Sequence, residues 1–142
     1  MIDFASKMRL LYHYFTTESK VYPTLVAGAT VQSDNAADWT YGTIAVIVPA
    51  GQIANRFHIH NVSVESCDKN GVFQLALYRG ATENLIATIR FSVAGGFWGN
   101  SVYVIASEVC AANDQIRAKL AYSDVTVSGQ ATITLSICYC IE

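Results

Sequence analysis

The chain has 142 residues, the length of one domain, with 52% apolar and 14% charged residues, where an ordinary soluble domain carries roughly 25% charged. It can fill a core but has few charges with which to solvate its surface. Nine basic against eleven acidic side chains give a net charge of -2, which excludes the basic surface that phosphate backbones require, so nucleic acid is not an expected partner.

No apolar run reaches the roughly 20 residues that cross a bilayer, and the first residues show neither the apolar stretch nor the cleavage site of a signal peptide. No membrane partner is expected, and the chain reads as made in the cytoplasm. Residues 1–20 contain no glycine or proline and place Phe4, Met8, Leu11 and Phe15 on one helical stripe. Leu10, Tyr12 and Tyr14 lie off that stripe. This short helix or arm therefore needs cover, either from the domain's own sheet or from another subunit.

Residues 21–55 contain no lysine or arginine and are punctuated by turn signals at Tyr22-Pro23, Ser33-Asp34-Asn35 and Pro49-Ala50-Gly51. They read as short strands joined by loops, the clearest at 43–48, whose apolar run suits burial on both faces. Residues 55–65 form a longer strand, and the Asn70-Gly71 turn that follows predicts a hairpin with 72–79. In 85–91, Leu85, Ala87, Ile89 and Phe91 alternate onto one face. Residues 94–100 are a glycine-rich loop carrying Phe97 and Trp98, and 101–106 is the next strand. The least ambiguous strands are Ile116 to Tyr122 and Ile133 to Tyr139, which alternate without a break.

The sum is an all-β domain over residues 21–142, an antiparallel β-sandwich or jelly roll of about seven or eight strands, preceded by the helix or arm at 1–20. No strand–helix–strand alternation supports a parallel sheet.

Among candidate sites, His58 and His60 share a strand face at a spacing from which two imidazoles can bind one metal, yet the sequence identifies no third ligand. They read as structural histidines, and no metal ligand set is assigned. Cys138 and Cys140 likewise share a face, without the C-x-x-C spacing of a zinc ribbon, and with Cys67 and Cys110 they read as packed thiols. The chain has no G-x-S-x-G elbow and no phosphate loop. No catalytic residue and no cofactor is expected. Phe97 and Trp98 either plug the end of the sandwich or anchor an interface.

Val21-Tyr22-Pro23-Thr24-Leu25, Trp39-Thr40-Tyr41-Gly42, Val46-Ile47-Val48-Pro49-Ala50 and Phe57-His58-Ile59-His60 follow one another in an order that resembles small structural proteins of tailed bacteriophages. The likeness continues through residues 70–78, 89–91 and 113–121 to the terminal strand. It departs from that family's pattern at the closing Cys138-Tyr139-Cys140-Ile141-Glu142 and in the N-terminal segment. The resemblance implies a non-enzymatic virion component, a capsid decoration or auxiliary head protein. It also implies a homo-oligomer, a trimer foremost, that binds the major capsid protein or other virion proteins. The interface is expected at Phe4, Met8, Leu11, Phe15, Phe97 and Trp98. The alternative is a tail-associated receptor- or carbohydrate-binding module using Trp39, Trp98 and Phe97.

Overall fold

The computed structural model describes residues 19–95, 101–105 and 107–142. Phe4, Met8, Leu11 and Phe15 of the N-terminal segment, and Phe97 and Trp98 of the glycine-rich loop, lie outside the described residues.

Two antiparallel sheets face each other. In the first, β1 (Lys20–Tyr22) and β2 (Ala29–Gln32) both pair with β9 (Thr132–Ile141), which pairs with β4 (Phe57–Cys67), which pairs with β7 (Ser101–Val104) at the edge. The second runs β3 (Ala45–Val48), β8 (Ile116–Tyr122), β5 (Gly71–Arg79), β6 (Asn84–Val93). One turn of helix, α1 (Val125–Ser128), leads from β8 towards β9. Strand order β2-β9-β4-β7 against β3-β8-β5-β6 is that of a jelly roll, the architecture expected from the many short alternating strands.

The inward faces meet in one core. Phe73 stacks between Phe91 and Tyr122, with ring centroids 5.1 and 4.7 Å away, and Phe57 meets the Tyr139 ring edge-on. Ile59, Val62 and Val64 of β4 and Ile133, Leu135 and Ile137 of β9 close the layer from the first sheet, all fully buried. Gly28 is required by close approach: a Cβ there would lie 2.1 Å from the Leu135 carbonyl oxygen. Its amide instead donates to Glu65 Oε2 at 2.8 Å.

Three local expectations need correction. The Asn70-Gly71 turn does not fold β5 back onto β4, because the two strands belong to different sheets. Only Gly71 there has a positive φ, 136°, whereas the tight hairpin turn needs two such residues. Asp68 instead ties the turn to β9, its Oδ1 accepting from Thr132 N at 2.7 Å, and Val72 N donates to Ser123 Oγ beside β8. Second, Leu85 does not face the core. The β5–β6 register shifts between Leu77 and Tyr78, so Ile86 packs against the core while Leu85 is exposed. Third, the 43–48 run is not buried on both faces: β3 is an edge strand and Val46 is 45% exposed.

Candidate functional site

The two outer faces of the sandwich differ in chemistry. On the second sheet, Arg90 Nη2 donates to Gln74 Oε1 at 2.7 Å, Arg117 Nη2 donates to the Ala81 carbonyl, and Lys119 pairs with Glu83 at 2.8 Å. That face is charged and wet. On the first sheet, the pairings place Val21, Cys138, Asn61 and Val104 in one cross-strand row. Ser136, Ser63 and Val102 form the next row. None of these seven side chains is charged. With strands about 4.8 Å apart, the first row spans roughly 14 Å. Val21 at one end is 51% exposed, and at the other end Val102 and Val104 on the edge strand are 57% and 85% exposed. Close to β1, Leu25 and Val26 also stand in solvent, Leu25 in the left-handed region at φ 59°. Among the described residues β7 pairs only with β4, and aliphatic groups on such an edge are what soluble monomers avoid.

At the end of the same face lies a second feature. The β4–β9 register shifts between Ile59 and Asn61, leaving His60 as the extra residue of a bulge. Ile59 and Val62 point inward and are fully buried, so His60 and Asn61 both face outward. His58 lies directly opposite Cys140. One ligand atom from each of His58, His60 and Cys140 lies within 4.8 Å of the others, and the two imidazole rings are 4.5 Å apart. His58 Nδ1 is 2.9 Å from Glu142 Oε1, and Cys140 Sγ is 3.8 Å from Ser19 Oγ. Burial pushes the Cys140 thiol up, against the Ser19 hydroxyl, which lowers it. Spacing had put His58 and His60 on one face and Cys138 and Cys140 on one face. The strand pairing joins the two pairs, and it brings in Glu142, which sequence reasoning missed.

Among the described residues the other three thiols join no such group. All four cysteines are free; Cys110 is fully buried behind the bridge to Phe57, and burial pushes its pKa up to about 11.

Trp39 is half-exposed, with the Arg90 guanidinium 4.9 Å from its ring centroid, so one ring face is already taken. A polar cleft of about 440 Å³ opens beside β2 and β3, lined among others by Gln32, Asp34, Asn35 and Gln130. Its groups are tied internally: Asp34 Oδ2 accepts from the Ala36 and Ala37 amides at 2.9 Å each, and Gln130 Nε2 donates to the Ser33 carbonyl. No aromatic platform lines it among the described residues.

No protein-family model matches the chain, and no curated protein matches it. Solved structures do. A cyanophage Pam1 capsid asymmetric unit is 15% identical over 90% of this chain and 88% of the other, with TM-score 0.43. A carbohydrate-binding module, CBM36 in complex with calcium and xylotriose, is 19% identical over 85% and 87%, TM-score 0.41. The infectious bursal disease virus VP2 subviral particle is 12% identical over 88% of this chain and 33% of its own, TM-score 0.44. Likenesses at this level carry no argument about function, and no enzyme family is indicated. No helix among the described residues is long and apolar enough to cross a membrane.

Proposed function

We propose that this chain is a non-enzymatic structural protein of a bacteriophage particle, a capsid decoration or auxiliary protein that assembles with copies of itself, as a trimer foremost, and binds the shell. The observation that carries this reading is the two uncharged cross-strand rows on the outer face of the first sheet, with exposed valines at both ends. Burying these rows against protein removes apolar area from water without desolvating a charge within them. The order of sequence segments, which resembles that of small phage structural proteins, supports the same reading. The arm at residues 1–20, with Phe4, Met8, Leu11 and Phe15, and the loop side chains Phe97 and Trp98 are proposed to extend this contact surface. The protein's place is then the virion, and its partners are itself and the major capsid protein.

The tied-up polar cleft and the arginine-covered Trp39 do not favour the carbohydrate-binding alternative. Counting copies of the chain in purified particles by quantitative mass spectrometry, with labelled imaging of the same particles, tests the proposal. Hundreds of copies on the head are expected. A handful at the tail tip overturns the decoration role in favour of receptor binding.

A further inference from the structure

His58, His60 and Cys140 are two imidazoles and a thiol on the two central strands of one sheet. We infer that they bind one divalent transition-metal ion of the zinc class, with Glu142 as the carboxylate that orients His58. The donor chemistry selects the ion. Thiolate and imidazole nitrogen suit zinc and its neighbours, whereas calcium and magnesium take oxygen ligands.

The geometry is close to what such an ion needs. Zinc–nitrogen bonds near 2.0 Å and zinc–sulfur bonds near 2.3 Å place tetrahedral donor atoms about 3.3–3.6 Å apart. The three donors here lie within 4.8 Å of one another, so the set needs to tighten by no more than about 1.2–1.5 Å. The backbone is held on both sides, since β4 and β9 are flanked by β7 and by β1 and β2. The i, i+2 spacing puts His60 on the face of His58 and Cys140, and the bulge there turns Asn61 to the same side. Glu142 Oε1 lies 2.9 Å from His58 Nδ1; a carboxylate accepting from Nδ1–H leaves Nε2 for an ion, the usual arrangement behind a metal-bound histidine. Glu142 is itself anchored by its amide, which donates to the Arg56 carbonyl at 2.9 Å. Three protein ligands leave a fourth position open to water or to a group from a neighbouring molecule.

The test uses the full chain, stripped with chelator and titrated with Co²⁺ as a spectroscopic stand-in for Zn²⁺. One Co²⁺ per chain is expected, with a near-ultraviolet sulfur-to-cobalt charge-transfer band and visible bands of tetrahedral intensity, both displaced by Zn²⁺. Cys140→Ser should abolish the charge-transfer band, and Cys138→Ser should leave it. Glu142→Gln should weaken binding by about 10–100-fold while keeping the band. Circular dichroism accompanies each variant; if Cys140→Ser unfolds, His60→Gln, whose side chain lies outside the core, must weaken Co²⁺ binding at least tenfold. A wild-type chain that shows no charge-transfer band, or a folded Cys140→Ser protein that keeps it, overturns the site.

Discussion

Replacing Val102 and Val104 together by lysine tests whether the uncharged face is a contact surface. Both side chains point outward from the edge strand β7, 57% and 85% exposed, opposite Ser63 and Asn61. Fully burying a valine is worth about 1.5–3 kcal/mol, so burying the area these two still expose is worth about 2–4 kcal/mol per protomer. At 1.4 kcal/mol per decade, that loss weakens self-association by roughly 30- to 1,000-fold, before the added cost of desolvating two ammonium groups. The fold itself should be indifferent, since lysine is common on edge strands and exposed substitutions move stability by about 0.5 kcal/mol or less. Sedimentation velocity across the micromolar range, alongside thermal unfolding, measures both quantities. The expected result is an oligomeric wild type and a smaller species of unchanged Tm for the variant. An unchanged dissociation constant refutes the placement of the interface at β7, and a monomeric wild type refutes self-association altogether. A large drop in Tm would show that the valines serve the chain's own packing.

Gly28→Ala forces a Cβ to 2.1 Å from the Leu135 carbonyl oxygen, an overpacking worth about 2–3 kcal/mol. Tm should fall by roughly 6–12 °C in calorimetry, and an unchanged Tm would show that β2 and β9 are not this close. The thiols should divide under native alkylation at pH 8. A pKa raised from 9.0 to about 11 leaves Cys110 about 100-fold less thiolate, on top of its burial. Peptide mapping should find Cys138, which is half-buried, labelled well before Cys110; equal rates would contradict the packing around Phe57.

What was legible in the sequence was whatever local alternation records. Ile116 to Tyr122 and the segment ending at Tyr139 have unbroken period-two patterns, and both became strands whose alternating apolar residues face the core. Where one extra residue enters a strand, the period is silent: Ile86 shifts β6 by one and puts Leu85 on the solvent side. An Asn-Gly pair signals a reversal of direction but not which sheet receives the returning strand, and here the chain crosses to the other layer. The candidate metal cluster was half legible for the same reason. Each pair of ligands came from i, i+2 spacing on one strand. Their meeting depends on pairing β4 with β9, which sets His58 opposite Cys140 from far along the chain, and no local pattern encodes that choice of partner.

The bulge at His60 connects the two features of the first sheet's outer face, and its removal separates them. Without it, Ile59 and Asn61 would be consecutive in a regular ladder, still opposite Tyr139 and Cys138, with every inward side chain of β4 unmoved. Deleting His60 therefore removes one proposed metal ligand and leaves the row Val21, Cys138, Asn61 and Val104 in place. Because Ile59, Val62 and Val64 keep their core positions, the shortened chain should fold with the same β-type circular dichroism and sediment as the same oligomer. Its affinity for Co²⁺ should fall at least tenfold, since two ligands replace three. If self-association fails together with metal binding in a folded protein, the ion belongs to the contact surface, and its open fourth position is the place to seek a ligand from the neighbouring subunit.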